Sequence, residues 1–146
     1  MKLKIALGAD HAGYEYKDKL IAYLIENGYE CVDCGTNGPE SVDYPEYASK
    51  VCELVRSNDC SFGILVCGTG IGMSIAANKH RGIRAALCNE PESTAMTRHH
   101  NNSNVLCLGA RMISFERALE LTNVFLSTEF DGGRHERRVE MLDKLF

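Results

Sequence analysis

The segment Cys67-Gly68-Thr69-Gly70-Ile71-Gly72 places a thiol directly before three closely spaced glycines. A glycine-rich turn that leads into a helix exposes main-chain N–H groups beside the positive end of the helix dipole. Such a turn can bind a phosphate, a carboxylate or a developing oxyanion, and it favours the thiolate form of a cysteine at its entrance. A tight turn with a buried Cys67 is the structural alternative. The segment alone leaves both interpretations open.

Familiar glycine-loop motifs do not account for this segment. The dinucleotide fingerprint Gly-x-Gly-x-x-Gly follows a first strand, and here Met73 stands where its third glycine would be. The Gly-Lys-Ser/Thr of a Walker A loop is absent from the segment. A cysteine phosphatase loop would have an arginine at position 73. A nucleotide-binding or regulatory domain that uses the turn as a phosphate cradle is the alternative hypothesis.

Further polar residues stand at the ends of predicted elements. Asp10 and His11 follow the first predicted strand, and they form either a ligand pair or a helix-capping aspartate with a solvent-facing histidine. Arg111 lies just past the last predicted strand. His100 and Asn101 close a helical pattern, and a histidine near a crevice can shuttle protons near neutral pH.

A basic cluster follows the Gly132-Gly133 break, with Arg134 and Arg138 spaced so that one helix face presents both. In a chain with net charge −4, this concentration of cations indicates phosphate recognition. A solvated helix face is the alternative. Tyr44, between an aspartate and a proline, is by itself more typical of a packing residue than of a ligand.

The cysteine pattern indicates reduced thiols in a cytoplasmic protein. The chain has seven cysteines, an odd and dispersed set, so at least one thiol is unpaired in a monomer. Cys31 and Cys34 form a Cys-x-x-Cys pair without a second pair at zinc-finger spacing, so we expect no metal. A thiol-redox protein centred on these two residues is a further, weaker alternative.

Apolar runs that alternate with helical patterns must position these groups. The predicted strands are Lys4 to Gly8, Glu30 to Cys34, Phe62 to Cys67, Arg84 to Cys88 and Val105 to Leu108. The predicted helices include a first one that stops at Gly28, a second one around Ala48 to Val55, then Gly70 to Lys79, Pro91 to His100, one capped by Ser114, and Glu136 to Phe146.

This alternation predicts a single α/β domain over residues 1–146. We expect a three-layer α/β/α sandwich, Rossmann-like, with a five-stranded parallel sheet and right-handed crossovers. In such sheets ligands bind at the carboxyl ends of the strands. Asp10, Cys67 and Arg111 all follow predicted strands, so we expect them to gather at one edge.

Composition excludes several classes of protein. The chain has 146 residues, 45% of them hydrophobic and 25% charged, as in ordinary globular proteins. Its longest apolar run, Phe62 to Cys67, is far shorter than the ~20 residues of a membrane span, and the first ten residues do not resemble a secretory signal. The acidic balance argues against a broad nucleic-acid-binding surface.

Short segments along nearly the whole chain carry a family resemblance. They are Gly8 to Gly13, Asp43 to Pro45, Cys67 to Gly72, Ala76 to Lys79, Gly82 to Ala85, His100-Asn101, Asn104 to Leu106, Leu108 to Arg111 and Gly132 to His135. In order and spacing this set resembles the type B ribose-5-phosphate isomerases, whose family also contains allose-6-phosphate and galactose-6-phosphate isomerases.

The resemblance implies an aldose–ketose isomerase that acts on sugar phosphates through an enediolate, without metal or nucleotide. By this likeness Cys67 is the base, His100 opens the sugar ring, and Thr69 supports the reacting end. One branch of the family places a glutamate at the position of Met73, so this chain fits the cysteine branch. The sequence does not decide between ribose 5-phosphate and a hexose phosphate such as allose 6-phosphate.

The resemblance also implies a set of substrate ligands. His11, Arg111, Arg134 and Arg138 match phosphate ligands, and Asp10 and Asn101 match ligands of sugar hydroxyls. Tyr44, Gly68, Gly70, Ile71 and Gly72 complete the expected pocket, where the N–H groups of Gly70 to Gly72 would meet the enediolate oxygen. Family sites are built between two subunits, so a homodimer is implied, and a tetramer stays open.

Overall fold

The sheet of the computed structural model, which describes residues 3–145, consists of five parallel strands in the order β2-β1-β3-β5-β4. They are β1 Lys4–Ala9, β2 Glu30–Asp33, β3 Phe62–Cys67, β4 Ala85–Leu87 and β5 Val105–Gly109. The predicted five-stranded parallel sheet is confirmed. The three central strands are β1, which leads to Asp10, β3, which ends at Cys67, and β5, which leads to Arg111.

Helices connect the strands and cover both faces of the sheet. They are α1 Tyr14–Glu26, α2 Tyr44–Arg56, α3 Ile71–Ala77, α4 Pro91–Asn101, α5 Phe115–Ser127 and α6 Arg134–Asp143. Leu20 of α1 and Phe125 of α5 pack on the face that carries Ile5 and Ile64. The opposite face packs against α2 and α3. Because α4 packs against α5, and α6 against α4, the three layers are those that the sequence predicts.

Element ends differ from the predictions by a few residues. Strand β4 is shorter than Arg84 to Cys88, because this edge strand pairs with β5 only from Ala85 to Leu87. The last helix begins at Arg134, directly after the turn glycines, and not at Glu136. The end predicted for this helix, Phe146, lies outside the described residues.

The other shifts are small. Strands β1 and β5 extend by one residue, to Ala9 and Gly109, whereas β2 ends one residue early, at Asp33. Helix α3 begins at Ile71 because Gly70 before it has a left-handed φ of 80°, and it ends at Ala77, two residues before the predicted end. The predicted cap of α5 is confirmed, since Ser114 Oγ accepts a hydrogen bond from the Arg117 N–H at 3.1 Å.

A buried cation fixes the turn that follows β2. Lys17 is 0% exposed, and its Nζ lies 2.7 Å from an oxygen of Asp33 and 3.1 Å from the side-chain oxygen of Asn37. The same turn is bonded to the end of β1, since the Ala9 N–H donates to the Gly35 carbonyl at 2.7 Å. Charges this deeply buried need such partners. The contacts therefore hold the turn beside the chain segment that carries Asp10.

Among residues 3–145, no helix is both long and apolar enough to cross a membrane.

The close contact between the turn after β3 and the end of β5 leads to a test of stability. A Cβ on Gly109 would lie 2.6 Å from the main-chain carbonyl atoms of Thr69. We therefore expect Gly109→Ala to lower the free energy of unfolding by about 1–3 kcal/mol in urea denaturation. Gly38→Ala is the control, since the nearest atom to its new Cβ is the flexible Glu40 carboxylate at 3.5 Å. Equal unfolding midpoints for the two variants would contradict the tight contact.

Candidate active site

A cavity of about 480 Å³ opens at the carboxyl edge of the sheet, where the parallel strands end. This edge lies where the chain reverses direction in the strand order, between β1 and β3, the usual ligand position in such folds. The lining residues are Asp10, Tyr44, Cys67, Gly68, Thr69, Ile71, Gly72, Ile75 and Arg111. All but Ile75 were predicted from the sequence.

Cys67 combines a buried position with a place in the lining of this cavity. Cys67 is the last residue of β3 and is 5% exposed, and its Sγ accepts a hydrogen bond from the Gly70 N–H at 3.1 Å. Gly70 can turn back in this way because its φ is 80°, and a Cβ there would lie 2.5 Å from Leu87. An N–H donor directed at sulfur stabilises negative charge on it.

Thr69 is exposed at the cavity, and its Oγ1 accepts a hydrogen bond from the Ile71 N–H at 3.2 Å. Its own hydroxyl hydrogen therefore stays available to donate to a ligand oxygen. This arrangement corrects the expectation that the N–H groups of Gly70 to Gly72 all face a substrate oxygen. The first two already donate within the turn, to Cys67 Sγ and to Thr69 Oγ1.

Arg111 is tied to the glycine turn by its main chain. The Ala110 N–H donates to the Cys67 carbonyl at 2.8 Å, and the Arg111 N–H donates to the Gly68 carbonyl at 2.9 Å. The guanidinium passes so close to Gly68 that a Cβ there would lie 3.2 Å from Nη1. An exposed cation is thus fixed at the cavity, near the thiol.

The side chains of Asp10 and His11 both accept hydrogen bonds from main-chain N–H groups. Asp10 accepts hydrogen bonds from the N–H groups of Ala12 at 2.9 Å and Gly13 at 3.2 Å, and it also lines the cavity. Asp10 thus stabilises the turn before α1 but is not its cap, because the N-cap residue is Gly13; its role as a ligand stays a prediction. His11 Nδ1 accepts the Val42 N–H at 3.2 Å, so the hydrogen of the neutral ring lies on Nε2, which can donate to an anion.

Tyr44 and two isoleucines form the side wall. Tyr44 begins α2, and its ring packs on Gly72, where a Cβ would lie 2.8 Å from the ring atoms. Tyr44 therefore packs and lines the cavity at once. Ile71 and Ile75 are more than half exposed, at 51% and 57%, although both are apolar. The sequence analysis missed Ile75, although its spacing of four from Ile71 could have indicated it.

His100 and Asn101 lie at the opposite, amino edge of the sheet, where the strands begin. They belong to the last turn of α4, which leads back to the start of β5. There the Asn104 N–H donates to the Arg84 carbonyl, and the Gly63 N–H donates to the Asn104 carbonyl. A strand such as β3 spans roughly 20 Å at 3.3 Å per residue. Within one chain, His100 and Cys67 are therefore on different edges.

The amino edge holds the other predicted site residues. The rings of His100 and His135 stack with centroids 4.4 Å apart and planes at 17°. The pKa of His135 is lowered, first by partial loss of hydration and then by the positive charges of His100, Arg134 and Arg138. These neighbours place both arginines close to the stacked rings. We call His100, Asn101, Arg134, His135 and Arg138 the imidazole cluster.

A metal ion does not fit this cluster well. His100, Asp131 and His135 are the one group of potential ligands among the described residues, with ligand atoms within 4.8 Å of one another. The nearly parallel rings direct their nitrogen lone pairs side by side and not toward a common point. Asp131 already pairs with His99, at 2.7 Å between its Oδ1 and Nδ1.

The environments of several other thiols disfavour their ionised form. Loss of hydration raises the pKa of Cys31 and of Cys34 to about 11 and that of Cys52 to about 12. It raises the pKa of Cys107 well above 9. Because thiolates react and neutral thiols do not, the Cys31–Cys34 pair has the wrong environment for a redox site.

The fold is an α/β sandwich whose carboxyl-edge cavity is lined by a cysteine and an arginine. Residues 5–142 match the family model described as Ribose/Galactose Isomerase. The chain therefore belongs to the Ribose/Galactose Isomerase family.

Particular members of this family are similar over nearly the full chain. The ribose-5-phosphate isomerase B of Escherichia coli is 47% identical over 139 residues, which cover 95% of this chain and 93% of that protein. The crystal structure of a ribose 5-phosphate isomerase from Thermotoga maritima superposes with a TM-score of 0.96 at 53% identity, covering 99% of this chain and 100% of that one. The Clostridium thermocellum ribose-5-phosphate isomerase B gives the same TM-score at 47% identity, with 98% and 97% coverage.

The electrostatics of the imidazole cluster can be tested by NMR titration. We expect a pKa for His135 below the ordinary 6.5, so that its ring is neutral at pH 7. Arg138→Gln removes a positive charge that disfavours protonation, so it should raise that pKa. Arg137→Gln is the control, because Arg137 is not among the groups that shift His135. Equal shifts in the two variants, or a wild-type pKa above 6.5, would show that the cluster is arranged differently.

Proposed function

We propose that this protein interconverts ribose 5-phosphate and ribulose 5-phosphate through an enediolate, as an aldose–ketose isomerase of the pentose phosphate pathway that needs no metal or nucleotide. One observation carries the proposal: Cys67, with an N–H donor at its sulfur, lines the same cavity as the cationic Arg111. The family and the activity under which its similar relatives are named support it.

Cys67 is the base in the proposed reaction. As a thiolate it takes the proton from C2 of the open-chain aldose, the electron pair forms a C1–C2 double bond, and negative charge moves onto O1. Cys67 then returns the proton to C1, while the hydroxyl on O2 loses its proton and O1 gains one. General base catalysis of this kind contributes about 10²–10⁴-fold to the rate.

The other cavity residues bind the substrate in this proposal. The Thr69 hydroxyl, which accepts from Ile71, donates to the oxygen that becomes negative. Asp10 binds sugar hydroxyls. Arg111 and His11 Nε2 bind the phosphate, which fixes the distance between the reacting carbon and the sulfur without taking part in the proton transfer.

A second copy of the chain completes the site. His100 is assigned to ring opening and Asn101, Arg134 and Arg138 to substrate binding, yet all four lie at the amino edge, away from Cys67. In an isologous dimer the amino edge of one subunit can meet the carboxyl edge of its partner, and the symmetry then produces two such sites.

Exposed apolar side chains support association between copies. Ile71 and Ile75 line the cavity and are 51% and 57% exposed, and Leu87, beside Gly70, is 36% exposed. Large apolar side chains grouped around a cavity are typical of a surface that is covered in an assembly. We assign this surface to the homodimer.

The proposal gives the whole sequence, residues 1–146, one sugar-phosphate isomerase domain. It places the protein in the cytoplasm, since seven free thiols suit a reducing compartment. The proposal includes a side activity on allose 6-phosphate. This hexose phosphate is one carbon longer than ribose 5-phosphate, and long, exposed arginine side chains can shift to bind its phosphate. A phosphate cradle for nucleotides fits less well, since Met73 interrupts the dinucleotide fingerprint.

Replacing the thiol tests the base. We expect Cys67→Ala to lower kcat by at least about 10²–10⁴-fold, while circular dichroism and calorimetric binding of ribose 5-phosphate stay near wild type. The control is Cys34→Ala, at a partly exposed thiol away from the cavity. Near-normal turnover by Cys67→Ala would remove this residue from the role of base.

Mixing two inactive variants tests the shared site. Cys67→Ala and His100→Ala are each expected to be inactive as homodimers, but a mixed dimer holds one site with both residues intact. Co-expression of the two variants should restore about a quarter of wild-type activity, because about half of the dimers are mixed and each has one working site. No recovery, with mixed dimers verified by mass spectrometry, would contradict a site shared between subunits.

A further inference from the structure

Helix α6 carries Arg134 and Arg138 but is only weakly held by the rest of the fold. It has ten residues, and Val139 is its one buried side chain. Helices shorter than about 12–15 residues are marginal in water unless tertiary contacts hold them. The positions of both arginines therefore depend on the few contacts that fasten this helix.

Specific side-chain contacts hold both ends of α6. Near its start, His135 stacks on His100 of α4. Its last residue, Asp143, pairs with Arg84, whose Nη1 lies 2.8 Å and 3.1 Å from the two carboxylate oxygens. Arg84 is 15% exposed and Asp143 41%, so the pair is half-shielded from water.

Arg84 also bonds to the end of α4. Its Nε donates to the main-chain carbonyl of Asn102 at 3.1 Å. Asn102 terminates α4 directly after His100 and Asn101, and it has the left-handed φ of 47° that stops a helix. One guanidinium thus connects the terminus of α4 with the terminus of α6.

The α4 terminus is itself fixed to the core. Arg98 donates through Nη1 to the side-chain oxygen of Asn102 at 2.9 Å, and its guanidinium lies over the rings of Phe62 and Phe125. The Arg84 main chain is fixed as well, since its N–H donates to the Asn104 side chain at 2.8 Å. The support on which Arg84 acts is therefore rigid, whereas α6 is the movable part.

We propose that Arg84, through its pair with Asp143, is a positioning residue that fixes the phosphate-binding arginines of α6 relative to His100. The inference rests on the proposed function, which assigns Arg134 and Arg138 to the phosphate. Neither Arg84 nor Asp143 touches the substrate in this arrangement. Without the pair, α6 can pivot about the stacked rings near its start, and Arg138, three residues beyond His135, moves more than Arg134, which is adjacent to His135.

The direct test is Asp143→Asn in the full-length protein. It weakens the attachment of α6 but leaves the Arg84 bond to Asn102 intact. We expect KM for ribose 5-phosphate to rise about tenfold while kcat stays within about twofold, since substrate binding is impaired and the proton transfer is not. The inhibition constant of inorganic phosphate should rise in the same proportion. Asp143→Glu, which keeps the carboxylate, should restore most of the affinity.

Arg84→Met removes both bonds of the guanidinium, so its comparison with Asp143→Asn shows what the bond to Asn102 contributes. The bond to Asn102 supports the helix turn that carries His100. We therefore expect kcat to fall in addition to the rise in KM. Glu53→Gln is the matched control. It changes a carboxylate of α2 that pairs with Arg56 at the same 2.8 Å, and Glu53 belongs neither to the cavity lining nor to the imidazole cluster. It should leave KM and kcat unchanged.

Arg138→Ala shows whether a negative result contradicts this inference or the proposed function on which it rests. If Arg138→Ala raises KM and Asp143→Asn does not, Arg84 is not a positioning residue. If neither variant raises KM, Arg138 does not bind the phosphate and the basis of the inference is lost. Asp143→Asn could instead lower kcat, raise KM and lower the thermal midpoint, without rescue by Asp143→Glu. That result would show that the pair only stabilises the fold, and it would overturn the proposal.

Discussion

The approach of the glycine turn after β3 to the end of β5 is the constraint on which the site depends. The main chain of Thr69 lies so close to Gly109 that no side chain fits there. Only at this separation can Ala110 and Arg111 donate their N–H groups to the carbonyls of Cys67 and Gly68. The segments that carry the thiol and the cation are therefore held together by hydrogen bonds between their main chains.

The direction of the helices explains why the remaining chemistry lies elsewhere. Helices that connect parallel strands run back along the sheet, so a helix begins at the carboxyl edge and ends at the amino edge. Helix α3 begins beside Cys67, whereas α4 brings His100 to its far end. The same rule that gathers strand-end residues into one cavity thus separates them from helix-end residues. In the proposed dimer, this separation becomes a requirement for a partner.

The sequence predicts the part of this arrangement that follows from periodicity. Buried strands such as β3 are continuous apolar runs, and the grouping of Asp10, Cys67 and Arg111 follows from strand order alone. Other features depend on contacts between distant segments and have no local signal. The stack of His135 on His100 is one, because it depends on the path of residues 128–133. The engaged N–H of Gly70 is another, because it follows from the conformation of the turn.

Seven identical side chains differ here only in their surroundings. Cys52 and Cys107 pack in the core, where burial raises their pKa and keeps them neutral. Cys67 belongs to the same core cluster, yet it also lines the cavity, and its sulfur accepts an N–H hydrogen bond. Since reactivity follows the thiolate and its access to a ligand, the turn that begins at Gly68 distinguishes the cysteine that the proposed mechanism uses as a base. The residue type supplies the chemistry, and the fold selects the position at which it is used.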